Sequence, residues 1–172
     1  LIGGAGFIGS RFCQLSNYNC QAVDKTTGYD INNAELPKDN YDSVIFLAPN
    51  DVSEFLIMCN ACDIDAVAID YDPKFANRLG YINKDFVFDD VDLNAELIIC
   101  RNVEKHYPLD LPRGVDVILI GDHDEHNGDC TPIFSPEQLI DLYNVGEVYQ
   151  KGSDHNGTHF YVYGKINEDR VL

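Results

Sequence analysis

Gly3-Gly4-Ala5-Gly6-Phe7-Ile8-Gly9 puts a glycine at every third position, directly after the apolar pair Leu1-Ile2 and ahead of a helix expected over Phe7–Leu15. Glycine permits a tight strand-to-helix turn, lets a pyrophosphate approach the backbone, and allows close helix–sheet packing. The helix N-terminus behind such a turn supplies unpaired N–H groups and a favourable dipole for phosphate oxygens. Asp24 ends the next expected strand, Cys20–Val23, where a carboxylate can accept both hydroxyls of an adenosine ribose. That chemistry is dinucleotide binding. An acid at this place favours NAD over NADP, whose 2′-phosphate would meet like charge, and the adjacent Lys25 softens the preference.

Other residues have the types needed for chemistry but less telling spacing. Tyr161 and Lys165 form the only Tyr-x-x-x-Lys, an acid–base pair that on a helix would share one face. The stretch around them, His-Phe-Tyr-Val-Tyr-Gly-Lys, is aromatic, β-branched and broken by Gly164, the composition of a strand running into a turn. His123 and His126 fall in one Asp-rich loop, and His155 and His159 in another. Imidazoles beside carboxylates can hold a divalent transition metal. No standard ligand spacing is met, however, and exposed polar loops account for these residues, so no metal is expected. Cys59-Asn60-Ala61-Cys62 lies late in an apolar helix, whereas a redox CxxC belongs at a helix start, where the dipole lowers the thiol pKa.

The elements that must position these residues read as alternating strands and helices. Strands are expected at Ser43–Ala48, Ala66–Ile69, Asp85–Phe88, Glu96–Cys100 and Val115–Ile120. Helices are expected at Val52–Cys62, behind Asp51 as a cap, at Pro73–Leu79 with Gly80 past its end, and from Ser135-Pro136-Glu137 to about Tyr143. Val145–Gln150 and His159–Tyr163 close the chain as an antiparallel pair of strands. Continuous Val/Ile/Leu runs are what a sheet covered on both faces requires. The expected fold is a Rossmann-like, doubly wound α/β sheet, mostly parallel, forming one domain over residues 1–172. Residues 1–50 would be a dinucleotide-binding unit and 51–172 its second half.

Composition narrows the partners. Twelve Lys and Arg against 29 Asp and Glu give a formal charge of −17, which argues against nucleic acid and anionic membranes as partners. No apolar run approaches the roughly 20 residues that span a bilayer. Most of the six cysteines sit in apolar surroundings typical of buried thiols, and a reducing cytoplasm is the expected location.

These residues carry two family resemblances. Gly3 to Ser10 resembles the cofactor fingerprint of the extended short-chain dehydrogenases, the epimerase and dehydratase branch, and the likeness continues through Asp24, Asp30-Ile31 and Asp42–Ala48. It implies that Gly3, Gly6, Phe7, Ile8, Gly9, Asp24, Asp30, Ile31, Leu47 and Ala48 line an NAD site. It also implies that the substrate is a small molecule such as a nucleotide sugar, acted on by hydride transfer. From Ser43 onward the order of elements is similar to that of a compact class I S-adenosylmethionine-dependent methyltransferase. That likeness implies that Asp70 binds the cofactor ribose, that Asp89 lies near the adenine, and that the loop with Asn102 lies beside the methyl group. Where that family carries glycines this chain has Leu47-Ala48-Pro49-Asn50-Asp51, and Pro49 removes an N–H donor.

The two resemblances compete for strand 43–48, a middle strand in one and the first in the other. Three functions stay open: an NAD-dependent epimerase-like protein, ranked first on its fingerprint; a methyltransferase; and a catalytically inactive Rossmann-like assembly protein. A homo-oligomer is compatible with each.

Overall fold

The computed structural model describes residues 41–49, 51–61, 63–101, 103, 109–121, 123–124, 131–153 and 160–169. In chain order the elements are β1 (Ser43–Leu47), α1 (Ser53–Ala61), β2 (Asp65–Ile69), β3 (Tyr81–Ile82), β4 (Leu97–Arg101), β5 (Asp116–Ile120), β6 (His123–Asp124), β7 (Thr131–Pro132), α2 (Pro136–Leu142), β8 (Val145–Ser153) and β9 (Phe160–Ile166). A single 3-10 turn spans Pro73–Phe75.

Seven strands form one sheet in the order β3-β2-β1-β4-β5-β9-β8. β1 pairs in parallel with both β2 and β4, and β3 and β5 extend the parallel region outward on the two sides. β9 runs antiparallel to β5 and to β8. Side chains alternate along β1: Val44 and Phe46 join a cluster with Val52 and Leu56 from the α1 side, while Ile45 and Leu47 join one with Leu139 and Tyr143 from the α2 side. Both faces are therefore buried, which explains why the strands read as unbroken apolar runs. The doubly wound, mostly parallel α/β sheet expected from the sequence is the observed one.

The start of α2 obeys the expected logic. Ser135 Oγ accepts from Gln138 N at 3.2 Å, Gln138 Oε1 accepts from Ser135 N at 2.8 Å, and Pro136 occupies the first turn.

Two expected elements are corrected. Asp85–Phe88 is a turn, because carboxylates compete for its backbone: Asp89 Oδ2 accepts from Asp85 N at 2.8 Å and Asp85 Oδ1 from Val87 N at 3.1 Å. The edge strand lies earlier, at Tyr81–Ile82. The helix expected over Pro73–Leu79 stops after the 3-10 turn, since the chain must return through left-handed Gly80 (φ 79°) to pair Tyr81 with Ala68. No helix among the described residues is long and apolar enough to cross a membrane.

Candidate functional site

The sheet order reverses direction at β1, which lies between β2 and β4. Loops leaving neighbouring strands on the two sides of such a point diverge, and the crevice between them at the carboxyl ends is where open α/β sheets bind ligands. Here that crevice is bounded by residues 47–49 and 51–53 after β1, 69–75 after β2, and 82–90 after β3.

The turn after β1 is made by Ala48, which is buried and left-handed at φ 49°. Its N–H donates to Ile69 O at 3.0 Å, so the ladder between β1 and β2 continues into the turn. Leu47 packs in the core beneath this edge. Beyond the turn, Asp51 Oδ1 accepts from Ser53 Oγ at 2.7 Å and from Ser53 N at 3.2 Å, and Arg78 Nη1 reaches Asp51 Oδ2 at 2.5 Å. The Ser53 hydroxyl, and next the Arg78 guanidinium, hold the exposed Asp51 carboxyl down at about 2. Tyr81 clasps the same turn, its hydroxyl accepting from Val52 N at 2.6 Å, and burial pushes that phenol up.

Asp70 stands at the tip of β2. At 5% exposure it is the one buried polar or charged side chain among the described residues. Its Oδ1 accepts from Asp72 N at 3.0 Å, and among the described residues its Oδ2 has no hydrogen-bond partner. Burying a carboxylate is costly unless its oxygens are paired. Among the described residues, one oxygen of this acceptor is thus left able to take a further donor at the crevice. The stretch after Asp70 is firmly seated: Asp72 caps the 3-10 turn through Lys74 N at 3.0 Å and pairs with the Lys74 ammonium, which draws its carboxyl down. Buried Phe75 stacks on Tyr81 with ring centroids 4.9 Å apart.

Asn83 was not singled out by the sequence. Its Nδ2 donates to Asp70 O at 2.9 Å and to Asp72 O at 3.1 Å. No motif marks it, because its partners come from another strand and are main-chain atoms.

The remaining candidates are dispersed. Asp89 is exposed and closes its own turn on Asp85. Tyr161 and Lys165 both lie in β9, opposite Ile120 and Asp116 at the two ends of β5, so the strand separates them by roughly 13 Å. Tyr161 is buried with its hydroxyl on Gln150, and Lys165 faces Asp116 at 3.7 Å. The backbone of His123 is in β6. Gly3, Gly6, Phe7, Ile8, Gly9, Asp24, Asp30, Ile31, Asn102, His126, His155 and His159 lie outside the described residues, as does Cys62. Cys59 and Cys100 are buried thiols. Hollows of about 420 and 750 Å³ open at the amino-terminal side of the sheet, around Arg113 and Lys165 and around Leu109 and Asn167, and neither is lined by Ala48 or Asp70.

No protein-family profile matches the chain, and no curated protein sequence matches it. Solved structures do match. The N-methyltransferase NodS from Bradyrhizobium japonicum WM9, in complex with S-adenosyl-L-homocysteine, superposes with a TM-score of 0.54 at 10% identity, covering 81% of this chain and 84% of that one. A second structure of the same enzyme gives a TM-score of 0.50 at 10% identity, covering 74% and 87%. The fold is the Rossmann-like fold found in methyltransferases.

This corrects the function ranked first from the sequence. In a dinucleotide-binding sheet the glycine turn comes directly after the first, central strand. Among the described residues the strand at the point of reversal is β1, and the sequence after it runs Ala48-Pro49-Asn50, with no glycine. Gly3, Gly6 and Gly9 come before β1 in the sequence and lie outside the described residues, and NodS, which shares the described sheet, is a methyltransferase. The epimerase assignment, its NAD cofactor and the hydride transfer expected with them are therefore not supported. Strand 43–48 takes the place that the methyltransferase resemblance implies.

Proposed function

We propose that the chain binds S-adenosylmethionine at the carboxyl edge of the sheet and is a methyltransferase acting on a small-molecule acceptor. The observation that carries this reading is the buried Asp70 carboxylate at the tip of the strand beside β1, with one oxygen uncommitted among the described residues. The vicinal hydroxyls of a ribose supply the two donors such a carboxylate accepts. The sheet shared with a structure that holds S-adenosyl-L-homocysteine supports the same ligand class.

The donor set fits the cofactor in two places and is thinner in a third. Asp70 fits the ribose, and left-handed Ala48 makes the turn a glycine would make. Pro49 offers no N–H, so the carbonyl end of the cofactor rests on fewer backbone donors than in the family's usual loop. When bound, S-adenosylmethionine supplies an electrophilic methyl carbon on a positively charged sulfur. A chain of net charge −17 favours a cationic ligand over an anionic one. In this reading Leu47 and Ala48 underlie the cofactor, Asp89 lies on the adenine side, and Asn102 comes after β4 beside the methyl group. The competing reading, an inactive Rossmann-like protein, rests on the lack of a recognisable catalytic set in the sequence and on Pro49 in a loop without glycine.

Calorimetric titration with S-adenosyl-L-homocysteine tests the proposal. The wild-type chain binds, and Asp70→Asn, isosteric but uncharged, weakens binding at least tenfold, as loss of charge-assisted hydrogen bonds of about 1.5–3 kcal/mol requires. A wild-type chain that does not bind, or an Asp70→Asn chain that binds equally well, sinks it.

A further inference from the structure

Asn83 lies just past the edge strand β3 and holds both ends of the Asp70-Tyr71-Asp72 turn with one amide nitrogen, at 2.9 Å from Asp70 O and 3.1 Å from Asp72 O. Two carbonyl acceptors decide which way the amide faces, since its oxygen turned inward would oppose them both. The backbone of the same segment adds a third tie, Asp70 N to Ile82 O at 3.1 Å. Asp70 is therefore held at its N–H by β3 and at its C=O by Asn83. The bond that aims its carboxylate comes from Asp72 N, inside the stretch that Asn83 brackets. Tyr71, between the two, is 63% exposed and anchors nothing by packing.

We propose that Asn83 is a positioning residue for the ribose site, setting the direction of the uncommitted Asp70 oxygen. The proposal rests on the methyl-donor reading above. Asparagine suits the task because a short side chain delivers two donors from one atom. Asn83→Ala removes both donors, and Asn83→Asp keeps the size while placing a carboxylate against two carbonyls.

The test compares two ligands, S-adenosyl-L-homocysteine and its 2′-deoxyribose analogue, on the full chain. A site that hydrogen-bonds the hydroxyl prefers the first ligand by about tenfold or more. In Asn83→Ala and Asn83→Asp that preference falls to within about threefold of unity, while affinity for the deoxy analogue changes by less than about threefold, the size of a hydrogen bond near solvent. Asp70→Asn marks the floor. Asn83 variants that keep the wild-type preference, or that lose affinity for both ligands alike, overturn the proposal and leave the methyl-donor reading standing. A wild-type chain that binds neither ligand, or binds both equally, overturns that reading and the proposal with it.

Discussion

Ala48 makes with an ordinary side chain the turn that glycine makes at low cost. A non-glycine residue at φ 49° carries roughly 1–2 kcal/mol of steric cost. Replacing it with glycine relieves that cost, but removes a buried methyl worth about 0.8 kcal/mol and adds about 0.4–1 kcal/mol of unfolded-state entropy. Ala48→Gly is therefore expected within about 1 kcal/mol of wild type, whereas Ala48→Val, β-branched at positive φ, loses roughly 2 kcal/mol or more in urea unfolding. Asp51 offers a second prediction at this scale. Its folded value of about 2 lies below the ordinary 3.8, so the fold favours the ionised form. The linked contribution is full above about pH 4 and is lost as the pH falls toward 2. Carboxyl NMR should show a titration midpoint near 2, and Ser53→Ala and Arg78→Ala should each raise it. Asp70 was legible in the sequence because an acid ending an apolar strand has a predictable place at the sheet edge. The left-handed backbone of Ala48 was not, since nothing in Leu-Ala-Pro-Asn announces a sign of φ.

Among the elements, β8 and β9 share the longest pairing, from Val145 opposite Ile166 to Ser153 opposite Phe160. A Cβ added at Gly164 would meet Glu147 O at 2.3 Å and a Val145 methyl at 2.7 Å, where the β8 strand shifts register. Backbone cannot yield as a side-chain tip can. Gly164→Ala should cost about 3 kcal/mol, measured as a lowered urea midpoint at unchanged slope. The sequence marked Gly164 only as a break in an aromatic run, because the carbonyl it makes room for belongs to another strand. The same limit explains β3. Apolar composition favoured Asp85–Phe88, but the carboxylates of Asp85 and Asp89 turn that segment on itself, and the strand forms where Tyr81 and Ile82 can reach β2. The α2 cap was readable because Ser135, Pro136 and Gln138 satisfy one another within four residues.

For the whole molecule, several distant segments converge on Asp116: Tyr41 from before β1 donates to it at 2.7 Å, Tyr149 from β8 at 3.0 Å, and Lys165 from β9 lies at 3.7 Å. Burial, and hydrogen bonds to Tyr163 and Asp116, raise the Tyr41 phenol. This network ties together the amino-terminal side of the sheet, at the edge opposite Ala48 and Asp70. Saturation at 100 times the dissociation constant stabilises a native state by about 2.7 kcal/mol. For a chain of this size that is a rise in Tm of roughly 5–10 °C. S-adenosyl-L-homocysteine is expected to produce it in a thermal melt and NAD is not. A shift with NAD alone would reverse the assignment.

The sequence by itself determined the kind of sheet. Runs buried on both faces need cover on both sides, and alternating with helical segments they point to a sheet between helical layers, the doubly wound α/β class. The sequence also determined that an acid ends β2 and where α2 begins, since both depend on neighbours in the chain. Only the tertiary structure decided which strand is central. Periodicity reports that a strand is buried, not which strands flank it. That was settled by pairings across long stretches of chain: Val44 with Ala66 on one side and Leu97 on the other, and β9 inserted antiparallel beside β5. Those pairings put strand 43–47 where the order of the described strands reverses, the place that the first strand takes in a methyltransferase-type sheet.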